Sequence, residues 1–284
     1  DSWFSSCKGG FDSPRDRQLL NKKMQTLKEL SKKFKSQKDE SISIEIYENF
    51  FKKRKYDKLN LFEIGIGGLN DPNRGGSSLK IWEEYFPNAL IYGLDLYKKN
   101  IKSTDRLKIY QGSQTDKKIL DLIHNDSGDF DYIIDDGSHI NNHQIKTFKL
   151  LFNKLKDGGL YFIEDIQTSY YLGYGGDAFY LNNKKTAINY FKTLIDKINY
   201  KDHENPFFKE DYYCNNITEI HFFRNLIVIK KNPNLIESNI IIKNIRPTKG
   251  QNIIFLRKNI KLLKYSIHYL RGLFYKFIDL LKIF

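Results

Sequence analysis

The sequence predicts an α/β fold in which a Rossmann-like, doubly wound sheet is mostly parallel and carries an antiparallel hairpin at one edge. Three observations predict it. Short apolar runs alternate with amphipathic segments from residue 59 onward, glycine or acidic residues follow several of these runs, and only Arg224 and Asn225 separate the last two. Alternating strands and helices favour a parallel sheet covered on both faces, and a two-residue connection is typical of a hairpin.

The elements are predicted in order along the chain. Apolar residues at helical spacing predict N-terminal helices over residues 15–35 and 44–55. Strands are predicted over 59–66, 89–94, 107–111, 130–134, 159–163, 217–223 and 226–230. Helices are predicted between them, over 77–86, 117–124, 142–155 and 186–198. We therefore expect three regions: a helical N-terminal extension over 1–58, a cofactor-binding domain over 59–232 and a basic C-terminal extension over 233–284.

Composition limits the class of protein. The 284 residues are 40% hydrophobic and 15% aromatic, which is enough apolar material for one large folded domain. Cys7 and Cys214 are the only cysteines, so the sequence carries neither a disulfide framework nor a zinc knuckle. The sequence shows no apolar run of about 18 residues and no signal-peptide pattern. We expect a cytoplasmic protein.

The net charge of +13 is concentrated at the C-terminal end. Residues 249–284 hold eight Lys and Arg against Asp279 alone, which gives this tail +7 of the total. The predicted strand ends are acidic instead, and acidic groups repel nucleic-acid phosphates. We therefore expect no nucleic-acid partner. An NAD-dependent oxidoreductase is disfavoured as well, because the glycine spacing of dinucleotide-binding domains is missing.

Residues 250–284 predict a long, basic, amphipathic helix. Such a helix can lie on an anionic membrane at its inner face, which would make the protein peripherally membrane-associated. It can also pack on a partner subunit, and this alternative is favoured. We accordingly expect a homo-oligomer.

Glycines and an acid follow the first two predicted strands of the domain. Glu63, Gly65 and Gly67 end the first strand, and a long loop follows over 69–76. Glycines let a cofactor approach the backbone, although similar glycines occur in ordinary strand-to-helix turns. Asp95 closes the next strand, where a carboxylate can accept hydrogen bonds from ribose hydroxyls. Together these residues favour a nucleotide cofactor, and the long loop suits the amino-acid end of S-adenosylmethionine.

Acidic pairs end two further strands. Asp135-Asp136 and Glu164-Asp165 place four carboxylates at neighbouring strand ends, where their repulsion favours a bound cation. Oxygen ligands without a nearby thiolate indicate Mg²⁺ or another hard divalent cation. His139, three residues after Asp136, is a candidate general base. The alternatives are that Asp135 is a helix cap and that His139 is a structural histidine.

The motifs at these positions resemble those of the metal-dependent sugar O-methyltransferases that modify macrolide antibiotics. The resemblance extends from about residue 47 to 231. It is carried by GGSSLKIW at 75–82, FPN at 86–88, IYGLD at 91–95, DDGSH at 135–139, His143-Gln144, IED at 163–165, QTSYY at 167–171 and HFFRNLIVIKK at 221–231. The basic tail lies outside this pattern.

The resemblance implies an enzyme that transfers a methyl group from S-adenosylmethionine to a sugar hydroxyl with the help of Mg²⁺. It implies that Asp136, Glu164 and Asp165 are metal ligands and that His139 is the catalytic base beside Asp136. It also implies a cofactor site, in which Ser113 and Gln114 lie near the adenine. The complete cofactor set that we predict is Glu63, Gly65, Gly67, Ser77, Asp95, Ser113, Gln114 and Asp135.

An aromatic, glycine-rich loop follows the acidic pairs. Tyr170 and Tyr171 are predicted to contact the acceptor together with His143, because aromatic faces suit the C–H surfaces of sugars. A plain surface loop is the alternative. We expect the acceptor to be a sugar of a bacterial surface polysaccharide or its nucleotide-sugar precursor. The alternative acceptor is a small non-sugar hydroxyl or a phosphate-like group.

Overall fold

One seven-stranded sheet forms the centre of the molecule. The structure, a computed structural model, describes residues 25–36, 43–202, 205, 207–235, 237–238, 269 and 272. The strands lie in the order β3-β2-β1-β4-β5-β7-β6, and only the pairs β5–β7 and β7–β6 are antiparallel. They are β1 Asn60–Ile64, β2 Leu90–Asp95, β3 Leu107–Gln111, β4 Phe130–Asp135, β5 Leu155–Glu164, β6 Ile217–Phe223 and β7 Leu226–Lys231. This is the predicted Rossmann-like architecture with its antiparallel edge.

Helices cover both faces of the sheet. They are α1 Leu27–Lys33, α2 Ser43–Phe51, α3 Ser77–Tyr85, α4 Lys117–Ser127, α5 Asn141–Leu151, α6 Ala187–Ile198 and α7 Tyr212–Asn216. Apolar residues of α1, α2 and α3 share one buried cluster with the sheet, and those of α4, α5 and α6 share a second. Successive strand residues alternate between the two clusters: Leu61 belongs to the first and Phe62 to the second. That period of two is the geometry of a strand buried on both faces.

Several boundaries differ from the prediction for local reasons. The helix expected over 15–35 does not run continuously through Thr26, which is extended and forms a reciprocal capping box with Glu29 at the start of α1. Residues 15–24 lie outside the described part. The helix expected over 142–155 ends at Leu151, and Leu155 already begins β5. The short helix α7 was not predicted, and its N-cap is the side chain of Asp211.

The structure describes part of the predicted N-terminal extension but little of the predicted C-terminal one. Leu27, Ile44, Tyr47 and Phe51, all within the predicted N-terminal extension, are buried in the first cluster. The boundary at residue 58 stays a prediction. The predicted amphipathic helix over 250–284 lies outside the described residues, apart from positions 269 and 272. Among the helices of the described part, none is long and apolar enough to cross a membrane.

The strand order reverses direction between β1 and β4. The chain runs outward from β1 through β2 to β3, and β4 then lies on the other side of β1. Open α/β sheets bind ligands at such a switch point, beyond the carboxyl ends of the strands. Here those ends bring Gly65, Asp95, Asp136 and Asp165 to the same edge of the sheet.

Candidate active site

A cavity of about 720 Å³ lies beyond the carboxyl ends of the central strands. This volume is within the range of small-molecule and cofactor sites. Nine of the predicted site residues line it: Gly65, Gly67, Asp95, Ser113, Gln114, Asp136, His139, His143 and Asp165. The lining also contains residues that the sequence did not single out as site residues, among them Arg74, Tyr97 and Ser138.

The glycine loop after β1 forms one wall of the cavity. A Cβ atom at Gly65 would lie 2.0 Å from the carbonyl oxygen of Asp136, so no larger residue fits there. Gly67 has a φ of 76°, a backbone conformation that favours glycine. Buried Lys99 supports the loop, since its ammonium group donates hydrogen bonds to the carbonyl oxygens of Leu69 and Asp71. The loop is therefore tied to the chain that follows β2.

Asp95 closes β2 and is held in place by the backbone. Its Oδ2 accepts a hydrogen bond of 3.2 Å from the N–H of Ile66, and its Oδ1 accepts one of 2.9 Å from the N–H of Tyr97. A carboxylate has about four acceptor positions, so these two bonds leave capacity for hydroxyl donors. Its place on the cavity wall suits recognition of a ribose diol.

A buried polar network lies behind the cavity wall. Nε2 of Gln114 donates hydrogen bonds to Oδ1 of Asp135 at 3.0 Å and to the hydroxyl of Thr147 at 3.1 Å. Oε1 of Gln114 accepts a bond of 2.7 Å from the N–H of Ser138. Burial raises the pKa of Asp135 to about 7, although hydrogen bonds from the Gly137 backbone and Gln114 oppose that shift. Asp135 does not line the cavity.

Glu63 and Ser77 do not line the cavity either. The carboxylate of Glu63 is fully buried, and its Oε2 accepts hydrogen bonds from the Ser78 hydroxyl at 2.8 Å and from Nε1 of Trp82 at 3.0 Å. These contacts join β1 to the first turns of α3. The structure thus gives Glu63 structural partners, and contact with a cofactor stays a prediction for both residues.

Asp136, His139 and Asp165 form a cluster at the end of the cavity. Each of the three residues offers one possible ligand atom, and these three atoms lie within 4.8 Å of one another. Two carboxylates and an imidazole fit a divalent cation, and the carboxylate oxygens match the preference of Mg²⁺. Nε2 of His139 lies 3.3 Å from Oδ2 of Asp165. The cluster therefore combines cation ligands with a proton acceptor.

The backbone of this cluster is unusual. His139 and Asp165 have φ values of 57° and 52°, in the left-handed region that few non-glycine residues adopt. The hydroxyl of Thr168 lies 2.8 Å from the carbonyl oxygen of His139 and 2.9 Å from that of Asp165, and these two acceptors share its one hydrogen. Thr168 is buried. One side chain thus supports the two strained residues, which come from different strand ends.

Glu164 lies beside the cluster without being one of its three members. Oε1 of Glu164 accepts a hydrogen bond of 2.7 Å from the hydroxyl of Tyr47 in α2. Its backbone carbonyl oxygen accepts one of 2.9 Å from Nε2 of Gln144 in α5. Sequence reasoning missed Tyr47, because nothing local in α2 signals a partner on β5. The role of Glu164 as a metal ligand stays a prediction.

The predicted acceptor residues Tyr170 and Tyr171 are exposed and do not line the cavity. The loop that carries them is nevertheless well held. Buried Asn141 donates hydrogen bonds to the carbonyl oxygens of Thr168 and Tyr174, and its Oδ1 accepts one from the hydroxyl of Ser169. Further exposed apolar side chains follow along the chain: Leu172, Tyr174, Phe179, Tyr180 and Leu181. His143 lines the cavity, and its Nδ1 lies 2.9 Å from the Ser138 hydroxyl.

Comparison with known proteins places this architecture among methyltransferases. No family model matches the chain. The chain is 37% identical over 190 residues to 8-demethyl-8-(2-methoxy-alpha-L-rhamnosyl)-tetracenomycin-C 3'-O-methyltransferase of Streptomyces olivaceus. The matched region covers 66% of this chain and 49% of that protein. It is 38% identical over 189 residues to mycinamicin VI 2''-O-methyltransferase of Micromonospora griseorubida, covering 66% and 47%. The chain thus spans about half the length of these relatives.

Solved structures agree with the sequence matches. The MycE methyltransferase of the mycinamycin biosynthetic pathway, in complex with Mg and SAH, superposes with a TM-score of 0.73 at 34% identity. That match covers 78% of this chain and 58% of MycE. A second MycE structure, which also contains mycinamycin VI, gives a TM-score of 0.73 at 33% identity and covers 82% and 60%.

Proposed function

This chain is a homologue of the sugar O-methyltransferases, and from that premise we propose that it is an S-adenosylmethionine-dependent, Mg²⁺-assisted O-methyltransferase acting on a sugar hydroxyl. The observation that carries the proposal is one cavity whose wall includes both Asp95 and the cluster of Asp136, His139 and Asp165. The first fits a ribose, and the second fits a divalent cation beside a base. The relatives named above methylate sugars of glycosylated antibiotics, and MycE binds Mg and SAH.

Each wall of the cavity has its own role in this proposal. Asp95 accepts hydrogen bonds from the ribose hydroxyls, and the glycine loop lets the amino-acid end of the cofactor approach the backbone. Among the described residues that line the cavity, Arg74 is the only lysine or arginine, so it is the candidate partner for the cofactor's carboxylate. Ser113 and Gln114 lie on the wall proposed for the adenine.

The cluster prepares the acceptor. Bound S-adenosylmethionine supplies an electrophilic methyl group, and Mg²⁺ supplies positive charge that lowers the pKa of the acceptor hydroxyl. Asp136 and Asp165 hold the cation, with Glu164 beside them. His139 takes the proton of the acceptor hydroxyl, and Asp165, whose Oδ2 lies 3.3 Å from Nε2 of the ring, stabilises the imidazolium that results.

The exposed aromatic segment supports a carbohydrate acceptor. Tyr170, Tyr171 and Tyr174 follow the acidic pair on β5, and Asn141 ties their loop to the helix that begins next to His139. Aromatic rings offer flat apolar surface to sugar C–H groups. The expectation of a surface polysaccharide or nucleotide-sugar acceptor stays a prediction, as does that of a non-sugar hydroxyl.

Mass spectrometry of methyl transfer tests the proposal. The protein is incubated with S-adenosylmethionine, Mg²⁺ and a panel of acceptors: a rhamnosyl glycoside, a nucleotide sugar, a bacterial polysaccharide and a catechol. We expect a methylated sugar that disappears with EDTA and returns when Mg²⁺ is restored. Transfer to the catechol alone would support the non-sugar alternative. A folded protein that transfers no methyl group to any of them would contradict the proposal.

A further inference from the structure

A buried tyrosine of the N-terminal region is hydrogen-bonded to Glu164, next to the cluster of Asp136, His139 and Asp165. Tyr47 lies in α2, is completely buried, and donates a 2.7 Å hydrogen bond to Oε1 of Glu164. Its ring is fixed by aromatic neighbours: the centroid distances are 5.4 Å to Trp82 and 4.8 Å to Phe162. The hydroxyl therefore has a defined position. It is not a flexible surface group that happens to meet a carboxylate.

The side chain of Glu164 is longer than those of Asp136 and Asp165, so its orientation depends more on a hydrogen-bond partner. Its side chain has three rotatable torsions, and it stands at the last position of β5, directly before the left-handed Asp165. The hydrogen bond from Gln144 fixes only the backbone carbonyl of Glu164. The hydroxyl of Tyr47 fixes one carboxylate oxygen, which limits the directions in which the carboxylate can point.

The chemical nature of the partner also matters. The Tyr47 hydroxyl is hydrogen-bonded to Glu164, and the negative charges of Asp136 and Glu63 also act on it. A lysine or arginine at this place would neutralise the cluster and compete with a divalent cation. A tyrosine donates a hydrogen bond without adding positive charge, and the cluster keeps its affinity for a cation.

From these observations we infer that Tyr47 is a positioning residue: its hydroxyl holds the carboxylate of Glu164 beside the cluster of Asp136, His139 and Asp165, where Glu164 can join the ligands of the divalent cation. The inference rests on the proposed function, because it assumes that the acidic cluster binds Mg²⁺. It also gives α2 a part in the site, although Tyr47 lies 117 residues before Glu164 and α2 supplies no residue to the cavity wall.

The test compares two tyrosine-to-phenylalanine variants by titration with Mn²⁺, followed by electron paramagnetic resonance. Tyr47→Phe removes only the hydroxyl that faces Glu164. Tyr85→Phe is the matched control, since Tyr85 is equally buried and donates a 2.8 Å bond to Glu48, which is not part of the acidic cluster. Loss of an outer partner of a metal ligand lowers metal affinity about 10- to 100-fold. We expect that loss for Tyr47→Phe and wild-type Mn²⁺ affinity for Tyr85→Phe.

A double variant separates positioning from packing. In the Glu164→Gln background, Tyr47→Phe is expected to weaken Mn²⁺ binding no further, because the carboxylate through which it acts is gone. Wild-type Mn²⁺ affinity in folded Tyr47→Phe would overturn the inference alone. Wild-type affinity in Glu164→Gln, a variant that keeps Tyr47, would overturn it as well. A wild-type protein that binds no Mn²⁺ would overturn both the inference and the proposed function.

Discussion

Nε2 of His139 lies 3.3 Å from Oδ2 of Asp165, although the two residues follow different strands. Both have left-handed backbone conformations, and both backbone carbonyl oxygens accept a hydrogen bond from Thr168. A carboxylate at this distance stabilises the imidazolium that forms when the histidine takes up a proton.

Replacement of His139 is expected to slow methyl transfer without loss of the cofactor. His139→Gln removes the proton acceptor at the cluster, and general base catalysis contributes about 10²- to 10⁴-fold to a rate. We expect kcat to fall by that order in a steady-state assay, with unchanged affinity for S-adenosylmethionine by calorimetry. His221→Gln, on β6, is the control for loss of a histidine elsewhere. Equal kcat values for His139→Gln and wild type would remove His139 as the base.

Thr168 is expected to act through its hydroxyl. Thr168→Val keeps the shape of the side chain but removes the donor to the carbonyl oxygens of His139 and Asp165, whereas Thr168→Ser keeps the donor. We expect Thr168→Val to lose about 1–3 kcal/mol in the free energy of unfolding and most of its methyl-transfer activity. Thr168→Ser should retain most of both. Chemical denaturation and an activity assay of the pair measure these effects, and indistinguishable variants would show that the hydroxyl has no role.

Arg74 is expected to bind the carboxylate of the cofactor. Hydrogen bonds to charged groups contribute about 1.5–3 kcal/mol, so Arg74→Gln should weaken S-adenosylmethionine binding about 10- to 100-fold. Lys98→Gln is the control, because Lys98 is exposed near the same edge of the sheet but does not line the cavity. Calorimetry at two salt concentrations gives the measurement. The same loss of affinity in both variants would mean that only net charge matters.

Asp131 is expected to stabilise the fold in a pH-dependent way. Burial alone would raise its pKa, but hydrogen bonds from Lys156, the Asn60 backbone and Arg54 outweigh burial and lower it. A lowered pKa in the folded state means stabilisation that is complete above the unfolded pKa of about 3.9 and is lost as pH falls through the folded pKa. Asp131→Asn should therefore unfold more easily near pH 7, by about 1–3 kcal/mol, and approach wild type in acid.

Urea denaturation between pH 3 and pH 7 measures this difference. The control is Asp57→Asn, which removes the 2.8 Å contact between Arg54 and a half-exposed carboxylate. Such exposed pairs contribute at most about 1 kcal/mol, so a small effect is expected. If Asp131→Asn is destabilised by the same amount at pH 3 as at pH 7, the effect comes from lost packing and not from the charge of Asp131.

The parts of the fold that were predictable have local sequence signals. Apolar runs followed by Gly65, Asp95 or Asp136 identified strands together with their carboxyl ends, and parallel strands bring those ends to one edge. For this reason the sequence predicted residues that the structure brings to the same cavity. The hairpin was equally visible, since Arg224 and Asn225 separate two β-like runs and Asn225 has a positive φ of 63°.

What could not be predicted depends on contacts between distant side chains. Nothing in the local sequence indicates that Glu63 is bound by Ser78 and Trp82, or that Tyr47 donates to Glu164. Such pairings arise when helices pack on the sheet, and periodicity shows only which face of a helix is buried. The ends of helices were also hard to predict from the local sequence. The end of α5 at Leu151 follows from the start of β5 at Leu155, which extends four residues before the predicted strand.

The most direct test of the central claim is calorimetric titration of S-adenosylmethionine into wild-type protein and Asp95→Asn, with and without Mg²⁺. Asparagine keeps the size of the side chain but loses the charge and one acceptor oxygen that a ribose diol needs. We predict binding by wild type both with and without Mg²⁺, and affinity at least about tenfold weaker in Asp95→Asn, the loss expected for a hydrogen bond to a charged group. Folded wild-type protein that takes up no S-adenosylmethionine under either condition would contradict the account.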